Sequence, residues 1–191
     1  MMLRDLIEKN RSCRRFRQEV SVEYQTLREL VDLARLSASA GNMQPLRYIL
    51  SCDPAKNALV FPDLAWARYI ENWPGPAEGE RPSAYIIVLE DRQVDHPLHC
   101  DHGIAAQSIL LGATEMGLGG CIIGSINKLN LRNVLNIPVR YDIPLVIALG
   151  KPKEKVEIEK LGTDGSVKYW RDGEGVHHVP KRALDDIILP L

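Results

Sequence analysis

The segment from Asp101 to Gly117 constrains the fold most, because it is apolar on nearly every side. Its apolar residues occupy all faces of a helix: Ile104, Ala105, Ile109, Leu110, Leu111, Ala113 and Met116. A helix of this kind is not a surface helix, so it needs the middle of the structure or a subunit interface to cover it. Asp101 is its expected N-cap, and Gly117 and Gly119 mark its expected end.

Short apolar runs on both sides of this helix predict a sheet. Leu46 to Ser51 is a strand, and Ala84 to Leu89 and Ile143 to Leu149 are continuous enough for strands buried on both faces. Cys121 to Gly124 is a fourth, shorter strand. The strands are too few and too unevenly spaced for a doubly wound sheet, so we predict a single α+β domain over residues 1–191.

Four more helices are expected. The clearest begins after Ser21, its expected N-cap. Its apolar residues have the i, i+3, i+4, i+7 spacing of an amphipathic helix: Leu27, Leu30, Val31 and Ala34. The other three are shorter and cover residues 3–10, 63–73 and 127–136.

The end of the chain, residues 151–191, differs in character. It is charged at first, and residues 167–170 and 176–179 then predict a hairpin around a turn that contains Gly173 and Gly175. Residues 181–191 form a short helix or an extended arm. We predict that this part of the chain is an arm that binds a partner.

Composition excludes several classes of protein. Hydrophobic residues make up 45% of the chain and charged residues 26%, which is enough for a packed core. The formal net charge of −1 excludes the basic field of a nucleic-acid-binding protein, and no apolar run approaches the about 18 residues of a membrane span. The four cysteines are far apart and form no CxxC pair, so we expect a reduced, cytoplasmic protein.

Two polar segments have the chemistry of a ligand site. Arg11, Ser12 and Arg14 follow the first helix, where they can grip a phosphate or an electron-rich ring, or form a solvated basic turn. In the loop after the amphipathic helix, Asn42 and Gln44 offer donors and acceptors that suit the edge of a pyrimidine-like ring. The same residues are also typical of a loop that ends a helix, so this segment is equally well explained as a turn without a ligand.

Two further segments are weaker on their own. Gly117 to Ser125 is not a dinucleotide fingerprint, because its glycines follow a helix instead of opening one. It offers backbone N–H groups, or it is simply the passage from a helix to a core strand. Lys181 and Arg182, taken alone, are a solvated surface pair.

Taken together and in this order, four motifs resemble the nitroreductase family of FMN-dependent oxidoreductases. They are Arg-Ser-x-Arg-x-Phe from Arg11, Ser-x-x-Asn-x-Gln-Pro from Ser39, Asp-x-Gly-x-Ala-x-Gln from Asp101 with its Gly-Leu-Gly end, and the pair Lys181-Arg182. The resemblance covers nearly the whole chain. It implies a mixed or antiparallel sheet flanked by helices, in an obligate homodimer with FMN at the interface and exchanged C-terminal arms.

The resemblance also implies a role for each cofactor-binding residue. Arg11, Ser12, Lys181 and Arg182 would hold the FMN phosphate. Arg14 would lie against the pyrimidine edge, where its charge stabilises the reduced ring.

The partner subunit would supply Ser39, Asn42 and Gln44 to the ring edge and the ribityl chain. Backbone amides near Ile123 and Gly124 would address N5, the atom that accepts and returns hydride.

The implied activity is a two-step transfer. NAD(P)H reduces FMN and leaves, and a nitroaromatic, a quinone or an activated alkene then takes the electrons. The flavin performs the chemistry, so no side chain is named as catalytic. Trp66 and Trp73 stand where relatives supply polar contacts, and they would cover the open ring face and contact the substrate. Asn10 and Gly124 replace charged residues of many relatives.

Three alternatives stay open. The chain could store or sense FMN without catalysis if Trp66 or Trp73 blocks the ring. Cys121 could take part in redox chemistry, or be a buried strand thiol. A zinc site could use a dense cluster of ligand types, although it has no second pair at ligand spacing: His96, His99, Cys100, Asp101 and His102.

Overall fold

The computed structural model describes residues 2–94 and 100–190. In these two ranges the helices are α1 (Leu3–Lys9), α2 (Tyr24–Leu36), α3 (Pro54–Val60), α4 (Asp101–Glu115) and α5 (Lys128–Val134). The strands are β1 (Phe16–Arg17), β2 (Leu46–Ser51), β3 (Ala84–Asp91), β4 (Gly119–Ile123), β5 (Tyr141–Pro152), β6 (Val156–Lys160), β7 (Trp170–Arg171) and β8 (His177–Lys181). Short 3-10 turns cover Ala40–Asn42 and Phe61–Asp63.

The main sheet is built around β5. This strand pairs with β3 on one side and with β4 on the other, and β2 pairs with the outer side of β3. Strand β1 pairs with the end of β5, where Phe16 lies opposite Pro152. All of these pairings are antiparallel, and the predicted α+β class is confirmed.

Helices cover both faces of this sheet. On one face α2 and α4 pack against residues such as Ile86 and Val88. On the other face, residues of α3 and α5 pack with Tyr85 and Ile87. Because both faces are buried, β3 and β5 are continuous apolar runs instead of alternating patterns.

Helix α4 is only partly enclosed by its own chain. Ala105, Ile109 and Ala113 are buried against the sheet and α2, whereas Ile104 and Met116 are exposed. The prediction of a covered helix is therefore confirmed for one side. The other side presents apolar surface.

Two predicted helix caps are wrong. Cys100 stands at the N-cap of α4, and Asp101 is the first helical residue. The Asp101 carboxylate instead accepts hydrogen bonds from Ser39 Oγ at 2.5 Å and from the Ala40 backbone N–H at 3.1 Å. Glu23, rather than Ser21, precedes α2.

The helix predicted at 63–73 is also wrong. Ala67 and Asn72 adopt positive φ angles of 38° and 55°, which no α-helix tolerates. The helix of this region is α3, whose signal was missed. Asp53 caps it by accepting from the Lys56 backbone N–H at 3.0 Å, and Pro54 occupies its first turn.

The C-terminal segment forms a second, small sheet. Strand β8 runs parallel to β6 and antiparallel to β7, with Trp170 opposite His178. The predicted hairpin is confirmed, although β7 is shorter than expected and β8 continues to Lys181, and β6 was missed. The exchange of residues 151–191 with a partner stays a prediction. Among the described residues, no helix has the length and apolarity to cross a membrane.

Candidate cofactor site

A cleft of about 240 Å³ lies where the two ends of the chain meet. We call it the basic cleft. Its walls come from the N-terminal segment, α4, β4 and the C-terminal strands: Asn10, Arg11, Ser12, Arg14, Gln107, Leu110, Ile122, Tyr169, His177, Val179 and Lys181. Four of the residues predicted to bind one cofactor therefore share one cavity: Arg11, Ser12, Arg14 and Lys181.

Gly119 and Gly120, the first two residues of β4, allow the N-terminal segment to lie against this strand. Ser12 forms a parallel bridge with Gly120, and the Cys13 N–H donates to the Gly120 carbonyl oxygen at 2.9 Å. A Cβ at Gly120 would stand 2.7 Å from the Ala148 carbonyl oxygen, closer than any side chain tolerates. Gly120, which follows the Gly-Leu-Gly end of α4, thus lets β4 lie close to β5, and a Cβ at Gly119 would lie 3.3 Å from Cys13 Cβ of the N-terminal segment.

The basic cleft has positive charge and no carboxylate among its lining residues. Arg11 donates from Nη2 to the Ile7 carbonyl oxygen at 2.5 Å, but its buried Nε has no hydrogen-bond partner in the part of the chain that the structure describes. Burial also lowers the pKa of Arg11, because nothing nearby compensates for the lost hydration. A buried donor without a partner requires an explanation, and an anionic ligand supplies one.

The guanidinium of Arg14 is held by the C-terminal strands. Its Nη1 lies 3.2 Å from His177 Nε2, and its Cζ lies 4.8 Å from the centre of the Tyr169 ring. Burial and the charge of Arg14 lower the pKa of His177 to about 4, so its imidazole is neutral at pH 7. The neutral Nε2 therefore accepts a hydrogen bond from Arg14.

The backbone at Arg14 is fixed separately. The side chain of Glu154 is fully buried and accepts from the backbone N–H groups of Arg14 and Arg15. It also accepts from Arg171 Nη2 at 2.9 Å. One carboxylate thus ties the N-terminal segment to the C-terminal hairpin.

The profile of the Nitroreductase family matches residues 7–151. The chain belongs to the nitroreductase family. The 5,6-dimethylbenzimidazole synthase of Rhodospirillum rubrum is 24% identical to it over 185 residues, covering 82% of this chain and 86% of the synthase. The oxygen-insensitive NADPH nitroreductase of Helicobacter acinonychis is 24% identical over 181 residues, covering 78% of this chain and 86% of that nitroreductase.

Solved structures show the same fold. A relative from Exiguobacterium sibiricum, solved in complex with FMN, superimposes with a TM-score of 0.67 at 18% sequence identity. The match covers 80% of this chain and 89% of that one.

The basic cleft of this nitroreductase-family chain fits the phosphate end of FMN. Arg11 and Lys181 supply charge, Ser12 supplies a hydroxyl group, and the unpaired Nε of Arg11 supplies a free donor. Gly124 follows the β4 wall of the cleft and is exposed, and a Cβ there would meet nothing within 4 Å. The chain is therefore open where a flat ring is expected beside Ile123 and Gly124.

The loop that contains Ser39, Asn42 and Gln44 lies away from the basic cleft. Ser39 and Gln44 line a pocket of about 190 Å³ together with Asp101 and Tyr48. Ser39 Oγ accepts from the Gln44 backbone N–H at 2.9 Å, and Gln44 Nε2 donates to Asn42 Oδ1 at 3.2 Å. One chain does not bring these residues to the basic cleft, and their supply by a second subunit stays a prediction.

The two predicted substrate residues lie outside the basic cleft. Trp66 is buried in the core, with its ring centre 5.9 Å from that of Phe61. Trp73 is half-buried, and Arg171 lies over its ring at 4.9 Å. This placement gives no support to a substrate-facing role for Trp66.

Arg182, Ile123 and Cys121 are the remaining candidate residues, and none of them lines the basic cleft. Arg182 is exposed, and Ile123 is buried beside Ile122, which does line the cleft. Burial raises the pKa of the Cys121 thiol, which opposes thiolate chemistry.

Of the zinc cluster predicted from the sequence, His96 and His99 lie outside the described residues. Cys100 is exposed and His102 is half-buried, and the described ranges contain no group of three ligand-type side chains that could hold a metal ion.

Among the lining residues that the sequence did not assign to a site are the two that contact the Arg14 guanidinium. Tyr169 and His177 come from the predicted hairpin, where they were treated as strand residues. The adjacent aromatic and histidine pairs of that hairpin were the available signal, since such side chains commonly serve a site.

Proposed function

We propose that the protein is an FMN-dependent oxidoreductase that takes hydride from NADH or NADPH and reduces small electrophiles such as nitroaromatics and quinones. The observation that carries the proposal is the basic cleft, with three cations, no carboxylate among its lining residues and an unpaired buried Nε on Arg11. Membership of the family and the NADPH nitroreductase relative support it.

The polar side chains of the basic cleft have two tasks, which are to bind the phosphate and to place a positive charge at the flavin ring. Arg11, Ser12 and Lys181 bind the phosphate, and Arg182 extends this positive end. Arg14 presents a fixed positive charge to the flavin ring, because its own backbone and guanidinium are both held. When bound, FMN supplies a ring that accepts and returns hydride.

A second copy of the chain completes the proposed site. It supplies Ser39, Asn42 and Gln44 from their exposed or half-exposed loop, and it exchanges the arm formed by residues 151–191. Exposed apolar side chains on α1 and α4 favour such a homodimer: Leu3, Ile7, Ile104 and Met116. The free thiols at all four cysteines favour a reducing, cytoplasmic location.

Anaerobic mixing tests this function. The purified protein is loaded with FMN and mixed with NADH or NADPH, and flavin absorbance is followed. We expect rapid bleaching by at least one nucleotide and recovery of the colour when a quinone or a nitroaromatic is added.

Two results would contradict the proposal. A protein that binds no flavin lacks the function altogether. A yellow protein that neither nucleotide bleaches is an FMN store or sensor, and it would show that the cofactor assignment is correct and the enzymatic one is wrong.

A further inference from the structure

We propose that the C-terminal hairpin positions Arg14 in the basic cleft, and that His177 is the positioning residue that aims its guanidinium at the flavin. This inference rests on the proposed function, since the charge of Arg14 is useful there only if a flavin binds. It adds a structural link: the contacts of the hairpin set how the charge of Arg14 is oriented toward the flavin.

Two contacts define the orientation of the guanidinium. His177 Nε2 accepts from Arg14 Nη1 at 3.2 Å, and the Tyr169 ring lies under Arg14 Cζ at 4.8 Å. The rings of Tyr169 and His177 are themselves 5.1 Å apart. A planar cation held at one edge by an acceptor and on one face by an aromatic ring has little freedom to rotate.

His177, which accepts this hydrogen bond, is neutral, so it orients the guanidinium of Arg14 without neutralising its charge. A carboxylate in the place of His177 would orient the guanidinium but would also cancel its charge. Among the described residues Arg14 forms no ion pair, because Glu154 is bonded to its backbone N–H instead. The full positive charge therefore remains available to a ligand of the basic cleft.

The surroundings of His177 keep it neutral. His177 is 1% exposed, and charged groups of the N-terminal segment, β7 and β8 act on it. Arg14 of the N-terminal segment, Arg171 of β7 and His178 of β8 all lower its pKa, and Tyr169 packs on its ring. Among the described residues its buried Nδ1 has no hydrogen-bond partner, so the contact with Arg14 is the hydrogen bond that fixes the imidazole there.

The hairpin is anchored at its far side. The Tyr169 ring meets that of Tyr69 edge-on at 5.1 Å, and Arg171 lies over Trp73 at 4.9 Å. The hairpin thus bridges the loop that contains Tyr69 and the segment that contains Arg14. If the hairpin moves away, Arg14 loses both contacts that orient it.

Three variants of the full chain test the inference. His177→Phe keeps a flat aromatic ring and removes the acceptor, and His177→Gln keeps an acceptor. His178→Gln is the matched control, because that neighbour bonds to Asp172 on the other side of the strand. The dissociation constant of FMN and the midpoint potential of the bound flavin are measured for each.

We expect His177→Phe to weaken FMN binding about tenfold, the loss of one hydrogen bond to a charged group, and to lower the flavin potential. His177→Gln should restore most of both values, and the His178 control should match the unmodified protein. The thermal unfolding midpoint of each variant shows that it is folded.

The outcomes separate this inference from the proposed function. If all three variants bind FMN with unchanged affinity and potential, the positioning role is overturned and the function stands. If the glutamine variant is as impaired as the phenylalanine variant, the acceptor role is overturned. If the unmodified protein binds no FMN, the proposed function itself fails, and Arg14 has no flavin to act on.

Discussion

At the level of single residues, Gly120 is a position beside the basic cleft where the fold leaves no room for a side chain. It accepts the backbone of the N-terminal segment on one side and packs against β5 on the other. A Cβ there would lie 2.7 Å from the Ala148 carbonyl oxygen and 2.6 Å from Leu110 Cδ2. The carbonyl belongs to the central strand and cannot move aside.

Gly120→Ala should therefore destabilise the protein by about 1–3 kcal/mol, the usual cost of overpacking. The free energy of unfolding in urea measures it. Gly124→Ala is the matched control, since a Cβ at that position meets nothing within 4 Å and should leave the stability unchanged. Equal stability of the two variants would show that Gly120 is not sterically required.

The sequence identified the cations of the basic cleft but not the groups that hold them. Arg11, Ser12 and Arg14 lie in one motif, and their convergence with Lys181 follows the family pattern. Tyr169 and His177 reach Arg14 only through the fold of the arm, a long-range contact that no local spacing encodes. Asp101 was misjudged because a helix-starting aspartate usually caps its own helix, whereas this one bonds to Ser39.

At the scale of elements, β8 carries two adjacent histidines with opposite responses to pH. His178 Nε2 lies 3.1 Å from Asp172, and its Nδ1 lies 2.5 Å from Glu159 of β6. These carboxylates raise the pKa of His178 above 6.5. Burial and nearby cations lower that of His177 to about 4.

The direction of each pH effect follows from the linkage between proton binding and folding stability. The contribution of His178 to stability is complete below pH 6.5 and is lost as pH rises through its raised pKa. The contribution of His177 is complete above pH 6.5 and is lost as pH falls toward about 4. The small sheet should therefore loosen at both ends of the range, through different residues.

Hydrogen exchange of the β8 amides, corrected for intrinsic rates, measures this. We expect the protection of the Val179 amide to decrease on the alkaline side in the unmodified protein. In His178→Gln this alkaline decrease should be absent, while the acid decrease remains. Protection that is constant or rises with pH in the unmodified protein would contradict the assignment.

The elements that the sequence predicted are those with a local signal. Strands β2, β3 and β5 and helices α2 and α4 have apolar patterns that their burial explains. Strand β6 was missed because it is mostly charged and pairs with β8, which lies far along the chain. Residues 63–73 have helical apolar spacing, but positive φ angles at Ala67 and Asn72 exclude the helix.

At the scale of the whole molecule, one chain presents two partial surfaces. The basic cleft lies against the middle of α4, at Gln107 and Leu110, and the loop containing Ser39 is bonded to the first residue of that helix, Asp101. A homodimer that places each loop opposite the partner's cleft would complete both sites. A single sequence gives each surface separately and contains no signal for how two copies face each other.

The proposed function requires the basic cleft to bind the phosphate of FMN. Riboflavin has the same ring without the phosphate, so titration of the flavin-free protein with each compound tests this requirement directly. We expect FMN to bind at least about a hundredfold more tightly, as two or more charge-assisted hydrogen bonds provide. Arg11→Ala should remove most of that preference, and Arg92→Ala, an exposed arginine paired with Asp142 outside the cleft, should retain it. Equal affinity of the unmodified protein for FMN and riboflavin would contradict the account.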